Sequence, residues 1–472
     1  MITGNLAELI RANLAFPPTA DQNSLFEQLG AFSADPVYDM MIIAGYAGTG
    51  KTSAVAAFVK TLKQCRRRFV LLAPTGRAAK VLQSFTGYDA FTIHKYIYRQ
   101  KSLDGAFGKF SLDINKLSDT FFIVDEASLI TIDTGGGNLF GSGDLLEDLV
   151  KYVRSKPGNK LVFIGDRGQL PPIGMDESPA LDIDFMQSTY GQLYSADLKA
   201  VVRQEKESGI LHNATIVRNM VEAGVEELPQ LETDGFDDIK RITGGELIES
   251  LNDSIGRYGL DDVVVLCRSN KRANRYNAGI RGTVLYREEQ LTKGDKLMVV
   301  KNCYQFKSDR EEQDPTFFLA NGDMCYLQKV RRYEERYGLH FAEATLRFPD
   351  YDDMDVTAKI ILDTLDSGQA SLTAEQQNAL FEGVWADYDD ITTKKKRYEA
   401  VREDPYFNAL QIKYATAITC HKSQGGGWPC VYIDNPFWMD EMAVEDLKWL
   451  YTALTRGIKQ VFLVNFNDKY FK

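Results

Sequence analysis

Eight consecutive residues, Gly45-Tyr46-Ala47-Gly48-Thr49-Gly50-Lys51-Thr52, constrain this chain more than any other segment. They fit G-x-x-x-x-G-K-[ST], a loop whose glycines let backbone N–H groups turn inward toward phosphate oxygens. The apolar run before it, 40–44, reads as a buried strand, and the run after it, 53–58, as the start of a helix. A strand–loop–helix of this kind places a helix N-terminus behind the phosphates. Gly45, Gly48, Thr49 and Gly50 then form the cradle. Lys51 is set to neutralise the β- and γ-phosphates of a nucleoside triphosphate, and Thr52 to hold Mg²⁺ through its hydroxyl.

The chain has 472 residues, 44% of them hydrophobic, which is enough for several packed cores. No apolar run reaches the roughly 18–20 residues of a membrane span. The first residues carry Glu8 and Arg11 and lack a basic leader, so they do not read as a signal peptide. The six cysteines are scattered without C-x-x-C spacing, which argues against a zinc site or a disulfide framework and fits the cytoplasm. A net charge of −11 argues against a broad electrostatic clamp on nucleic acid, while leaving room for a local basic channel.

Apolar, β-rich runs alternate with helical patterns, the signature of α/β architecture with parallel sheets. The clearest strands are 40–44, 69–73, 121–124, 161–164, 263–266, 431–434 and 461–464. A break near 190–200 separates two sheets, giving a first domain over 1–195. The second, over 196–301 and 409–472, is completed only by the C-terminal segment. Between its halves lies an insertion over 302–408, turn-rich at first and then, over 372–403, charged and helical. The Gly-rich stretch 135–143 reads as a loop.

Asp125-Glu126 follows the strand 121–124. A carboxylate there, beside a phosphate loop, can hold Mg²⁺, and its neighbour can deprotonate an attacking water; a helix N-cap pair is the plainer reading. Gln169, in Gly165-Asp166-Arg167-Gly168-Gln169-Leu170-Pro171-Pro172, carries an amide able to touch a γ-phosphate. Gln22 can pair with the N6 and N7 edge of adenine; it also stands where Thr19 would cap a helix. Arg203 and Arg456 lie outside the first sheet and are suited to complete the site from a second domain. For nucleic acid, Pro74, Thr75 and Arg77 offer a turn, a hydroxyl and a cation at a helix start. His421, Lys422 and Ser423 offer the same chemistry in the second sheet. His94 and Lys95 could add a contact. Phe91, Tyr96 and Tyr98 suit base stacking or core packing equally.

Taken in order, these strings resemble the RecD-like, Dda-like DNA helicases of superfamily 1B. Thr19-Ala20-Asp21-Gln22 is similar to the adenine motif, and Ala73-Pro74-Thr75-Gly76-Arg77-Ala78-Ala79-Lys80 to motif Ia. Thr92-Ile93-His94-Lys95 resembles motif Ib, Asp125-Glu126-Ala127-Ser128 motif II, and Gly165 to Pro172 motif III. Val202-Arg203-Gln204 resembles motif IV, His421-Lys422-Ser423-Gln424-Gly425 motif V, and Tyr451-Thr452-Ala453-Leu454-Thr455-Arg456 motif VI. The resemblance implies two RecA-like parallel-sheet motor domains with ATP and Mg²⁺ between them. It implies an SH3-like β subdomain inserted in the second domain, and a small strand-separating hairpin over 100–119. It further implies 5′→3′ translocation on single-stranded DNA, unwinding at duplex junctions, action as a monomer, and a place in DNA repair and recombination. The competing readings are an RNA-directed motor of the same superfamily and a nucleotide-gated nucleic-acid-binding ATPase that does not unwind.

Overall fold

The computed structural model describes residues 2–100, 110–132, 141–200, 208–303, 319–438 and 441–472. Its first sheet is built from β1 (Met40–Gly45), β2 (Arg68–Ala73) and β3 (Ala90–Thr92). A small hairpin of β4 (Tyr98–Gln100) and β5 (Phe110–Leu112) follows, and β6 (Thr120–Val124), β7 (Lys160–Gly165) and β8 (Tyr194–Leu198) complete the sheet. Its six strands run in the order β3-β2-β6-β7-β1-β8, all parallel. Every residue of β1, β6 and β7 is buried, as strands covered by helices on both faces require. That is why they read as unbroken apolar runs.

The second sheet contains β9 (Ile239–Ile242) and β10 (Val263–Cys267). The chain then leaves it to form a closed barrel of β11 (Lys296–Val299), β12 (Met324–Arg336), β13 (Leu339–Phe348), β14 (Met354–Ile361) and β15 (Leu410–Tyr414). It returns with β16 (Ala417–Thr419), β17 (Trp428–Asp434) and β18 (Gly457–Val464). The second sheet is again all parallel, in the order β16-β10-β17-β18-β9. The architecture is therefore two RecA-like α/β domains with a β-barrel inserted in the second.

All seven strands read from the sequence lie within β1, β2, β6, β7, β10, β17 and β18. Within the two parallel sheets the four missed strands, β3, β8, β9 and β16, are three to five residues long and none is buried throughout, so none writes an unbroken apolar run. The boundary expected at 195 falls inside β8, which pairs with β1 and belongs to the first sheet. The insertion limits of 302 and 408 are likewise too narrow. The barrel closes only through β11 and β15, which lie outside those limits and pair with each other. The charged stretch 372–403 forms the helices Ala374–Asp387 and Lys394–Glu403. Leu380, Val384 and Val401 pack them against Leu339, Phe341 and Ile361 on the barrel exterior. Of the expected strand-separating hairpin, β4 and β5 pair antiparallel, and 101–109 lie outside the described residues. Among the described residues no helix is long and apolar enough to cross a membrane.

Candidate active site

The phosphate loop leaves the C-terminal end of β1, where parallel sheets hold their ligands. Gly48 and Gly50 both adopt φ of +78°, a left-handed conformation that L side chains rarely tolerate. Gly45 is confined differently: a Cβ there would lie 3.0 Å from both Lys51 and Leu198 side-chain atoms. Lys51 opens the helix Lys51–Gln64. Its ammonium donates to Gly45 O (2.6 Å) and Tyr46 O (2.8 Å) and lies 3.9 Å from Asp166 Oδ2.

A cleft of about 600 Å³ opens over this loop. Gly48, Gly50, Lys51, Thr52, Asp125, Glu126 and Gln169 line it from the first domain, and Gly425, Thr455, Arg456 and Ile458 from the second. Asp125 accepts the Glu126 N–H at 2.9 Å. Burial, reinforced by the neighbouring Glu126 carboxylate, pushes the Asp125 carboxyl well above the usual range. Glu126 itself sits at φ +51°, a strained conformation for a residue with a side chain and one that recurs at functional sites. Gln169 is 5% exposed, and its Oε1 is buried without a hydrogen-bond partner. An acceptor left bare in this way costs free energy unless a ligand group meets it.

Arg456 is expected on a helix starting near 440. The structure corrects this: the helix Val444–Leu454 ends two residues earlier, and Arg456 lies just before β18. Its guanidinium donates to Gly426 O (3.0 Å), Thr452 O (3.1 Å) and Thr455 Oγ1 (3.2 Å). Thr452 O is a carbonyl of the last turn of that helix, so the charge lies at the favourable end of its dipole. Arg203 falls in 201–207, outside the described residues, as does most of the Gly-rich loop 135–143.

Three residues of the second domain that carry no assigned role in the sequence reading fasten the two domains together. The Tyr451 hydroxyl accepts the Ala47 N–H (2.8 Å) and donates to Asp166 Oδ2 (2.7 Å). Thr452 Oγ1 accepts the Leu170 N–H at 2.9 Å, and Gln424 Nε2 donates to Leu170 O at 2.7 Å. The signal was present in the position of Tyr451 and Thr452 one turn before Arg456, but their partners lie more than 250 residues away. Arg218, on the helix Gly209–Ala223, adds a cation 4.7 Å from the centre of the Tyr46 ring.

Gln22 is fully buried and closes a capping box with Thr19, while its Nε2 donates to Thr49 O at 3.3 Å. The capping reading is the one present; the amide supports the phosphate loop from behind, and an adenine contact would require it to exchange partners. The nucleic-acid candidates divide in the same way. Thr75 caps the helix Gly76–Thr86 by accepting the Ala78 N–H, with Pro74 half-buried before it. Arg77 reaches into the second domain, donating to Gly427 O (3.3 Å) and stacking over Trp428. Ser423 is fully buried, and its hydroxyl donates to Cys420 O at 2.6 Å. His94 is held neutral by burial, which pushes its pKa down to about 4. Lys95 is half-buried on the same short helix. Tyr98 is a core residue bonded to Asp148, Tyr96 packs edge-on against Phe122 and Tyr152, and Phe91 stays exposed. Burial also lowers His421, and lowers Lys422 to about 8 with help from Lys413. The Lys422 ammonium is buried without a hydrogen-bond partner, which suits an incoming anion.

A glycine-rich loop, a carboxylate pair and an arginine from a second parallel-sheet domain are thus gathered on one cleft. Residues 19–236 match the family model of an AAA domain, and 414–464 that of the UvrD-like helicase C-terminal domain. The chain is 23% identical to the uncharacterized protein MJ1519 of Methanocaldococcus jannaschii, over 95% of this chain and 39% of that protein. It is 27% identical to the ATP-dependent RecD2 DNA helicase of Deinococcus radiodurans, over 36% of this chain and 23% of that one. It is 24% identical to the ATP-dependent DNA helicase dda of Enterobacteria phage T4, over 89% of this chain and 93% of that one. The chain thus spans well under half the length of the first two relatives. Its matched segments are thus those of an AAA domain and a UvrD-like helicase C-terminal domain, and DNA helicases stand among its relatives.

Proposed function

We propose that the chain is an ATP-dependent DNA helicase that moves 5′→3′ along single-stranded DNA and unwinds duplex at junctions, acting as a monomer. The observation that carries this reading is the composite cleft: Lys51, Asp125, Glu126 and Gln169 come from one domain and Arg456 from the other. The residues fit Mg²⁺ and ATP, because the glycine-built loop admits phosphate oxygens and the buried unpaired Gln169 Oε1 can accept from a metal-bound or attacking water. Thr52 and Asp125 would hold Mg²⁺, which neutralises phosphate charge.

Lys51 leaves its carbonyl partners for the phosphates. Glu126 takes the proton of the attacking water, and Gln169 and Arg456 meet the γ-phosphate from opposite sides. Nucleotide binding therefore draws the domains together, and hydrolysis releases them. If the grips around Thr75 and Lys422 alternate, each cycle advances the strand.

The test is unwinding of duplexes bearing a 5′ or a 3′ single-stranded tail, with Lys51→Ala as control. Unwinding of the 5′-tailed substrate alone, lost in Lys51→Ala, is expected. DNA-stimulated hydrolysis without strand separation would replace the reading with a nucleotide-gated binding protein. Stronger stimulation by poly-U than by poly-dT would replace DNA with RNA.

A further inference from the structure

We propose that Tyr451 is a positioning residue through which the second domain sets the nucleotide affinity of the first: it holds the phosphate loop and Asp166 so that Lys51 is free to take a phosphate only while the domains are together. This rests on the nucleotide reading above.

The geometry is specific. The Tyr451 side chain is 1% exposed, so its hydroxyl has no water to exchange with. That one oxygen accepts from Ala47 N and donates to Asp166 Oδ2, thereby touching both the phosphate loop and the carboxylate nearest Lys51. The other carboxylate oxygen, Asp166 Oδ1, accepts the Gly168 N–H at 2.9 Å, which fixes the carboxylate plane. Gly168 admits the ring: a Cβ there would stand 3.0 Å from Tyr451 Cε1. Burial also raises the phenol well above its ordinary pKa, so it remains a donor.

Asp166 Oδ2 is thus shared between a phenol and an ammonium. While Tyr451 donates to it, part of its charge is satisfied and its pull on Lys51 is weakened. When the domains separate, Tyr451 leaves with the second one. Asp166 then competes with phosphate for Lys51, and Ala47 loses its anchor. Both changes weaken nucleotide binding at the moment the cleft opens, which favours product release.

The test uses the full 472-residue chain, Mg²⁺ and a fluorescent ATP analogue. Tyr451→Phe removes one oxygen and keeps the ring. Its nucleotide Kd and KM are expected to rise about tenfold, the scale of one buried hydrogen-bonding group lost, with kcat within about threefold of wild type. Adding Asp166→Asn to Tyr451→Phe is expected to recover most of that affinity, because a neutral amide does not hold the ammonium. A tenfold loss that Asp166→Asn fails to repair would mark Tyr451 as packing alone and overturn the proposal. Unchanged affinity in Tyr451→Phe overturns it too, leaving the nucleotide reading intact. Absence of nucleotide binding by the wild-type chain would overturn both.

Discussion

The Arg77 guanidinium lies 3.8 Å from the centre of the Trp428 ring, bridging the first helix after β2 to the start of β17. A cation read from the sequence as a phosphate ligand is therefore, in this conformation, a tie between the two domains. A stack of this kind, desolvated, contributes about 1–2 kcal/mol. Arg77→Ala is expected to lower the melting temperature by about 1–2 °C and to widen the domain separation seen by small-angle scattering. Arg77→Lys should not restore either, because an ammonium lacks the planar face. An Arg77→Ala chain with wild-type melting and scattering would remove the stack from the account of closure.

Asp323 supplies a pH test. It is 2% exposed, in a turn where its Oδ2 accepts the Tyr351 hydroxyl and the Ala320 N–H, both at 2.6 Å. Burial nevertheless pushes its pKa up from 3.8 to about 7. The folded chain thus keeps a proton that the unfolded chain has lost, and stability falls as pH rises from 3.8 to about 7. Asp323→Asn keeps an acceptor for both donors and carries no charge. At pH 8 it is expected to be more stable than wild type by about 2–4 kcal/mol, with the difference vanishing near pH 4. Denaturant melts at the two pH values decide it; an equal effect at both would assign the gain to something other than ionisation.

What could be read from the sequence, and what could not, follows from the range of the interactions. Gly48, Gly50 and Lys51 were legible because the backbone conformation and the charge are demanded locally. β1, β6 and β7 were legible because full burial writes an apolar run. Tyr451 was not, since its meaning depends on Ala47 and Asp166, more than 280 residues away. Arg77 and Ser423 stand in strings whose residue types suit phosphate, yet one is claimed by Trp428 and the other by the Cys420 carbonyl. A residue type permits a contact, and packing decides whether the side chain is free to make it. The barrel limits failed for a similar reason: β11 and β15 become barrel strands only by pairing with each other across more than 100 residues.

Glu126 tests the hydrolytic step. It lines the cleft beside Asp125 with its backbone forced to φ +51°. Glu126→Gln preserves side-chain volume and removes the base. It is expected to bind the nucleotide normally and to hydrolyse it about 10²–10⁴ times more slowly. Single-turnover hydrolysis beside equilibrium binding checks both halves. Fast hydrolysis would move the base to Asp125 or Asp166.

Arg456 tests the composite site itself. It stands 405 residues after Lys51, yet both line one cleft. Its partners are the Gly426 and Thr452 carbonyls and the Thr455 hydroxyl, all neutral, so the guanidinium keeps its full charge for an incoming phosphate. Arg456→Ala is expected to cut DNA-stimulated ATP turnover by roughly 10³ or more, as loss of an arginine finger does. Nucleotide affinity should change far less, because Lys51 and the phosphate loop remain. Arg456→Lys should fail almost as badly, since an ammonium cannot reproduce the planar fork that also spans Gly426 O and Thr452 O. Steady-state ATPase at saturating single-stranded DNA, beside fluorescence measurement of nucleotide binding, separates the two effects. Normal turnover in Arg456→Ala would show that the second domain contributes no charge to the reaction, and the closing-cleft mechanism would fall with it. A loss of binding as large as the loss of turnover would instead identify Arg456 as a brace for the Gly426 turn and the end of the helix Val444–Leu454.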